Sequence, residues 1–184
     1  DNMAYRNGTY VAFAADGNTD ITTSDIRFYN LLKGWNLMKN RTFNFINSHE
    51  RGPRIRSYSQ GETIKRTLRE RLNNSKRFML LVGNTTRLDT DFVPYEIKYA
   101  IDTCKLPVIV CYVNHKTRLT ANFPVGLENL LPQVLVDRIN NNTARTIHIP
   151  FREVIMNYAI SQYDFKNLPE HNFTVFTDNT YKNL

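Results

Sequence analysis

The 184-residue chain is poor in the residues that build stapled or metal-bound domains. It has two cysteines, Cys104 and Cys111, and four histidines, His49, His115, His148 and His171, spread far apart. Two cysteines make no disulfide scaffold. With no CxxC, HExxH or His/Cys cluster, neither a structural nor a catalytic zinc site is expected. No run approaches the roughly 20 apolar residues of a membrane span. Asp1 to Tyr10 is polar and carries no apolar signal-peptide core, so a reducing, cytoplasmic compartment is the expectation. Glycine and proline number seven each, and no linker, internal repeat or low-complexity segment divides the chain. GxGxxG and GxxxxGK(S/T) are both missing, which removes the dinucleotide fingerprint and the P-loop. Without GxSxG, a serine-triad hydrolase has no motif support.

What is present suits one globular domain. Hydrophobic residues make up 41% and charged residues 22%, enough apolar material for a core. The expected domain covers residues 1–165, with 166–184 an unassigned polar tail. A formal charge of +7 favours anionic partners such as nucleotides, acidic proteins or nucleic acid, although a solvated basic surface accounts for it equally well.

Short apolar runs alternate with amphipathic segments. Thr9 to Ala15 reads as a first buried strand, between Asn7-Gly8 and Asp16-Gly17. A helix begins near Thr22, with Ile26, Tyr29, Leu32 and Trp35 at helical spacing. Thr42 to Ile46 is a second strand, and a long loop from Asn47 to Gly61 follows. Glu62 to Leu72 is a helix with Ile64, Leu68 and Leu72 on one face. Arg77 to Val82 is the clearest buried strand. Pro94 suits the first turn of a helix capped by Asp91 and running to about Cys104. Pro107 to Val113 and Arg145 to Ile149 are the remaining strands, and Pro150 opens a helix to about Tyr163. Gly126 to Leu131 reads as a helical turn, and Gln133 to Val136 is left without a type.

Helices alternating with continuously apolar strands imply a parallel sheet covered on both faces. The expected fold is α/β and flavodoxin-like, with five strands in the order 2-1-3-4-5. Such sheets bind ligands beyond the carboxyl ends of their strands, where the order reverses. Ala14, Ala15 and Asp16 would line that crevice, with Gly83 and Asn84, and the loop beginning Ser48-His49-Glu50-Arg51 would lie beside it. Asp16 also suits the turn before Gly17. Arg51, Arg54 and Arg56 match phosphate oxygens and equally suit a solvated loop.

Glu96 stands out. The residues three and four positions away are Phe92, Val93, Tyr99 and Ala100, all apolar or aromatic. Two readings stay open: a boundary carboxylate that reaches water, or a partly buried one facing the crevice with a raised pKa.

Four stretches carry a family resemblance. They are Glu62-Thr-Ile-Lys-Arg-Thr-Leu-Arg-Glu-Arg-Leu-Asn-Asn-Ser-Lys, Phe78-Met-Leu-Leu-Val-Gly-Asn-Thr-Thr, Val93-Pro-Tyr-Glu-Ile-Lys-Tyr-Ala and Leu106-Pro-Val-Ile-Val. In that order they resemble the TIR-like family, above all bacterial Thoeris ThsB-type proteins, over roughly Thr9 to Asn114. The resemblance implies a TIR fold. It implies cleavage of the nicotinamide–ribose bond of NAD, which is substrate rather than cofactor. It further implies a cyclic or rearranged ADP-ribose signal, made in anti-phage defence, that acts on a separate and often sirtuin-like effector. Its catalytic glutamate falls on Glu96, its loop after the first strand on Ala14 to Gly17, and its mobile loop on Ser48 to Arg56. Phe13, Tyr58 and Phe92 are aromatics that could stack on a ring of the substrate, and Asn47 to Gly61 would serve as a lid. Homo-oligomers are common in the family.

Two other classes compete. A TIR-like scaffold would act through its helices and has no need of a carboxylate among aromatics. A nucleic-acid-binding domain fits the positive charge, but the cations are dispersed and no stacking platform is legible.

Overall fold

The computed structural model describes residues 6–14, 58–90, 92–120 and 126–184. The expected helix from Thr22, the second strand Thr42–Ile46, residues 47–57 of the expected lid and the capping Asp91 lie outside the described residues.

Five strands are described: β1 (Thr9–Ala12), β2 (Arg77–Val82), β3 (Val108–Tyr112), β4 (Thr146–Pro150) and β5 (Thr174–Val175). They form one all-parallel sheet in the order β1-β2-β3-β4-β5. The first four are the expected first, third, fourth and fifth strands, in the expected adjacency. The α/β, flavodoxin-like architecture is therefore present.

The strands are apolar on both faces because both faces are covered. Every residue of β1, β2, β3 and β4 is buried. Side chains alternate across the pleat. Tyr10, Phe78 and Val108 pair in register with one another, as do Ala12, Leu80 and Val110. These six share one face with three helices. Helix α1 (Tyr58–Asn73) contributes Leu68 and Leu72, four residues apart. Helix α2 (Val93–Lys98) contributes Val93 and Ile97, and α3 (Gln133–Asn140) contributes Leu135, Val136 and Ile139. On the other face Val11, Met79, Leu81, Ile109 and Cys111 pack with Ile155, Met156 and Ala159 of α4 (Glu153–Gln162).

Helix α2 runs into a π-helical turn, Tyr99–Thr103. The Cys104 amide donates to Tyr99 O at 3.0 Å, five residues back. Lys105 then takes a positive φ of 55°, and the Leu106 amide returns to Ala100 O at 3.0 Å. This left-handed residue satisfies late carbonyls and releases the chain into Pro107 and β3.

Three expectations change. Pro150 does not open a helix: it is the last residue of β4, paired with Tyr112, and α4 starts three residues later. A proline lacks only the ladder donor, so it is tolerated where a strand ends. Gln133 to Val136 is the first half of α3. The polar tail adds β5, parallel to β4, then α5 (Asp178–Lys182), with Phe176 between them at 8% exposure. No helix among the described residues is long and apolar enough to cross a membrane.

Candidate functional site

Glu96 sits in the first turn of α2, where Phe92 is the cap residue and Pro94 follows. Pro94 presets the helical φ and removes a donor that would have had no partner. The Glu96 amide donates to Phe92 O at 2.8 Å. A carboxylate in the first turn meets the positive end of the helix dipole.

The Glu96 side chain is turned inward. Glu96 is 6% exposed, between Val93 at 1% and Ile97 at 0%. Of the two readings left open by the sequence, the water-facing boundary position is therefore not the one adopted. The Tyr10 hydroxyl donates to Glu96 Oε2 in a buried hydrogen bond. Tyr10 is itself 7% exposed. Its ring stacks on Phe78, centroids 5.6 Å apart and planes 10° from parallel. Strand register accounts for this, because Tyr10 and Phe78 are direct partners across β1 and β2. A buried carboxylate is costly unless hydrogen-bonded, and Tyr10 supplies that bond from 86 residues away.

Phe92, 4% exposed, belongs to the same apolar cluster as Tyr10. Phe13 belongs to the opposite one, with Val11, Met79 and Leu81. The sheet thus separates Phe13 from the face that carries Glu96. Ala14 is fully buried just beyond β1. Asn84 is exposed just beyond β2, and its Oδ1 accepts from Asn114 Nδ2 at 3.2 Å. The turn before it is fixed by the Gly83 amide donating to Thr86 Oγ1 at 2.8 Å, with Thr86 fully buried. Ala15, Asp16, Ser48, His49 and Arg51 lie outside the described residues.

The cations of α1 serve its contact with α2. Arg69 Nη1 donates to the Tyr95 hydroxyl at 2.8 Å, and Lys65 Nζ lies 5.2 Å from the Tyr95 ring centre. On the outer side of the π turn, Arg138 grips Asp102 with two bonds, Nε to Oδ1 at 2.9 Å and Nη2 to Oδ2 at 2.6 Å. That bond holds the Asp102 carboxyl below the usual range.

A second polar centre was not legible in the sequence. His148 is fully buried in β4. Its Nδ1 lies 2.7 Å from the Tyr112 hydroxyl and its Nε2 lies 2.8 Å from Thr146 Oγ1. Thr146 Oγ1 donates to Asn172 O at 2.6 Å. The threonine has one proton and gives it to the carbonyl. Nε2 is then the protonated nitrogen, and Nδ1 accepts from Tyr112. Burial pushes the His148 pKa down to about 3, so the ring is neutral. The centre is internally satisfied, and it pins the carboxyl-terminal segment to the sheet.

Both cysteines are buried and unbridged. Burial raises the Cys104 thiol to about 11 and pushes Cys111 higher still, so neither is poised as a nucleophile. Among the described residues, no three His, Cys, Asp or Glu side chains group as metal ligands would. Among the described residues, Glu96 is a buried carboxylate bonded by Tyr10 in the cluster that also holds Phe92. A carboxylate held by a donor in apolar surroundings exerts a strong field on nearby positive charge.

Residues 10–118 match the family model described as Thoeris protein ThsB, TIR-like domain. The match spans more than half of the chain and includes Tyr10, Asn84, Phe92 and Glu96. No curated protein matches the chain.

Proposed function

The chain belongs to the TIR-like domain family of the Thoeris protein ThsB, a family of anti-phage defence, and from that premise we propose that it cleaves the nicotinamide–ribose bond of NAD. The observation that carries the proposal is the burial of Glu96, 6% exposed in an otherwise apolar cluster and bonded by Tyr10. A scaffold gains nothing from that placement. Burying a carboxylate costs stability unless its bonds repay it, and an alanine or glutamine would pack the same helix.

The chemistry asks for little more than a positioned negative charge. Nicotinamide leaves as a neutral molecule from a cationic pyridinium, taking both electrons of the glycosidic bond. The ribose left behind is oxocarbenium-like. Glu96 stabilises that charge electrostatically and accepts hydrogen bonds from ribose hydroxyls, as carboxylates do in glycoside cleavage. Such a step needs no resident cofactor. Attack by water gives ADP-ribose, and attack by a group of the same nucleotide gives a cyclic or rearranged product. Exclusion of water decides between them.

The product acts, in this proposal, as a signal on a separate effector of sirtuin-like type, inside the cytoplasm. The crevice beyond β1 and β2, with Ala14, Asn84 and Phe92, holds the nucleotide together with Ala15, Asp16, Ser48, His49 and Arg51. A homo-oligomer is compatible with this arrangement.

The test is incubation with NAD, followed by chromatography and mass detection, for wild type beside Glu96→Gln. Wild type is expected to release nicotinamide, and Glu96→Gln to lose at least about 100-fold of that rate, the scale of removing a transition-state electrostatic group. The same pair is run in lysate of phage-infected cells, so that a missing activator is supplied. Silence of both proteins in both settings would overturn the enzymatic reading in favour of the scaffold. Equal activity in both would retire Glu96.

A further inference from the structure

We propose that Tyr10 is the positioning residue of the Glu96 site, orienting the carboxylate for the reaction without touching the substrate; the inference rests on the enzymatic reading above. It is the only residue of β1 whose side chain brings a hydroxyl into the apolar cluster on that face. Along the same face its neighbours are Ala12, Phe78, Leu80 and Val82. A phenylalanine would fill the same volume. What the hydroxyl adds is the bond to Glu96 Oε2.

The geometry gives that bond directional value. A tyrosine ring fixed on Phe78, 5.6 Å away and nearly parallel, has little freedom to follow a moving carboxylate. The partner is instead held where the ring is. Glu96 stands on a different element, so the bond ties strand and helix at the level of the reactive group. Tyr10 keeps its proton throughout. It sets which carboxylate oxygen faces inward and steadies the side chain's rotamer. Misplacement of a catalytic group by about 1 Å costs on the order of 100-fold, so an unsteadied Glu96 turns over slowly while the nucleotide still binds.

The experiment is steady-state nicotinamide release by Tyr10→Phe, with Phe78→Leu as a second variant and thermal melts of both. Tyr10→Phe keeps the ring and is expected to lower kcat by roughly 10- to 100-fold with KM within about 3-fold of wild type. Phe78→Leu keeps the hydroxyl and loosens the ring, and a smaller fall in kcat is expected. A rise in KM at unchanged kcat would overturn the inference, because it would make Tyr10 a substrate contact or a mere support. Unchanged kcat in both variants, with wild type active, would overturn it and leave the enzymatic reading standing. Silence of wild type in buffer and in infected lysate would remove both.

Discussion

Thr146→Val probes the buried histidine centre with almost no change of shape. The hydroxyl it removes has two partners, His148 Nε2 at 2.8 Å and Asn172 O at 2.6 Å. Thr146 and His148 are both fully buried, so water does not replace the bond between them, whereas Asn172 is half-buried and its carbonyl can turn to water. An orphaned buried donor or acceptor costs about 1–3 kcal/mol. The one orphan, the His148 Nε2–H, sets that range, and the added methyl recovers about 0.8 kcal/mol. A loss near 1 kcal/mol follows. For a chain of this size each kcal/mol lowers Tm by about 2–4 °C, so the melt should fall by roughly that much. Urea unfolding should show a lower midpoint at unchanged slope, the mark of lost stability without a changed denatured state. The double variant with His148→Phe should cost less than the sum of the two single changes, because the donor that Thr146→Val orphans is then gone. Strict additivity, or a Thr146→Val protein as stable as wild type, would refute the tautomer.

His148 has a folded pKa of about 3 against an ordinary value near 6.5, so only the unfolded chain takes up its proton between those limits. Its contribution is fully present above about pH 6.5 and is lost as pH falls toward 3, at a little over 1 kcal/mol per unit; urea titrations at stepped pH should show this slope, flattened in His148→Gln. Gly126 holds φ at 72°, and a Cβ there would stand 2.6 Å from Asn129 Nδ2. Gly126→Ala should therefore cost about 1–2 kcal/mol by the same melt, and a neutral result would mean that the turn relaxes.

The central strands were legible because burial on both faces leaves no polar position in them. Phe78 to Val82 and Val108 to Tyr112 are continuous apolar runs bounded by breakers. The other elements that the sequence hid were short or weakly patterned. β5 has two residues and α5 has five, too few to display any period, and their placement depends on the β4 edge and on the His148 centre. In α3 the buried residues are Leu135, Val136 and Ile139, a single turn of apolar spacing inside a polar segment. Pro150 misled because a proline before an amphipathic run suits both a helix start and a strand end. The partner strand, through the Tyr112 pairing, decides between them.

At the site, the carboxylate was legible and its partner was not. Glu96 broke the pattern of its own helix, a local signal. Whether it reached water or turned inward depended on what the sheet offered opposite it, and that is a long-range fact. Strand parity already contained part of the answer. Tyr10 and Phe13 differ by an odd number of residues, so a pleated strand and its continuation send them to opposite faces. The helix that carries Glu96 covers the face of Phe78, Leu80 and Val82, and register with Phe78 puts Tyr10 on it. Tyr10 lies 86 residues from Glu96, and only strand parity and register bring the two together. The hydroxyl therefore reaches the carboxylate from inside the cluster, and Glu96 is held from the core.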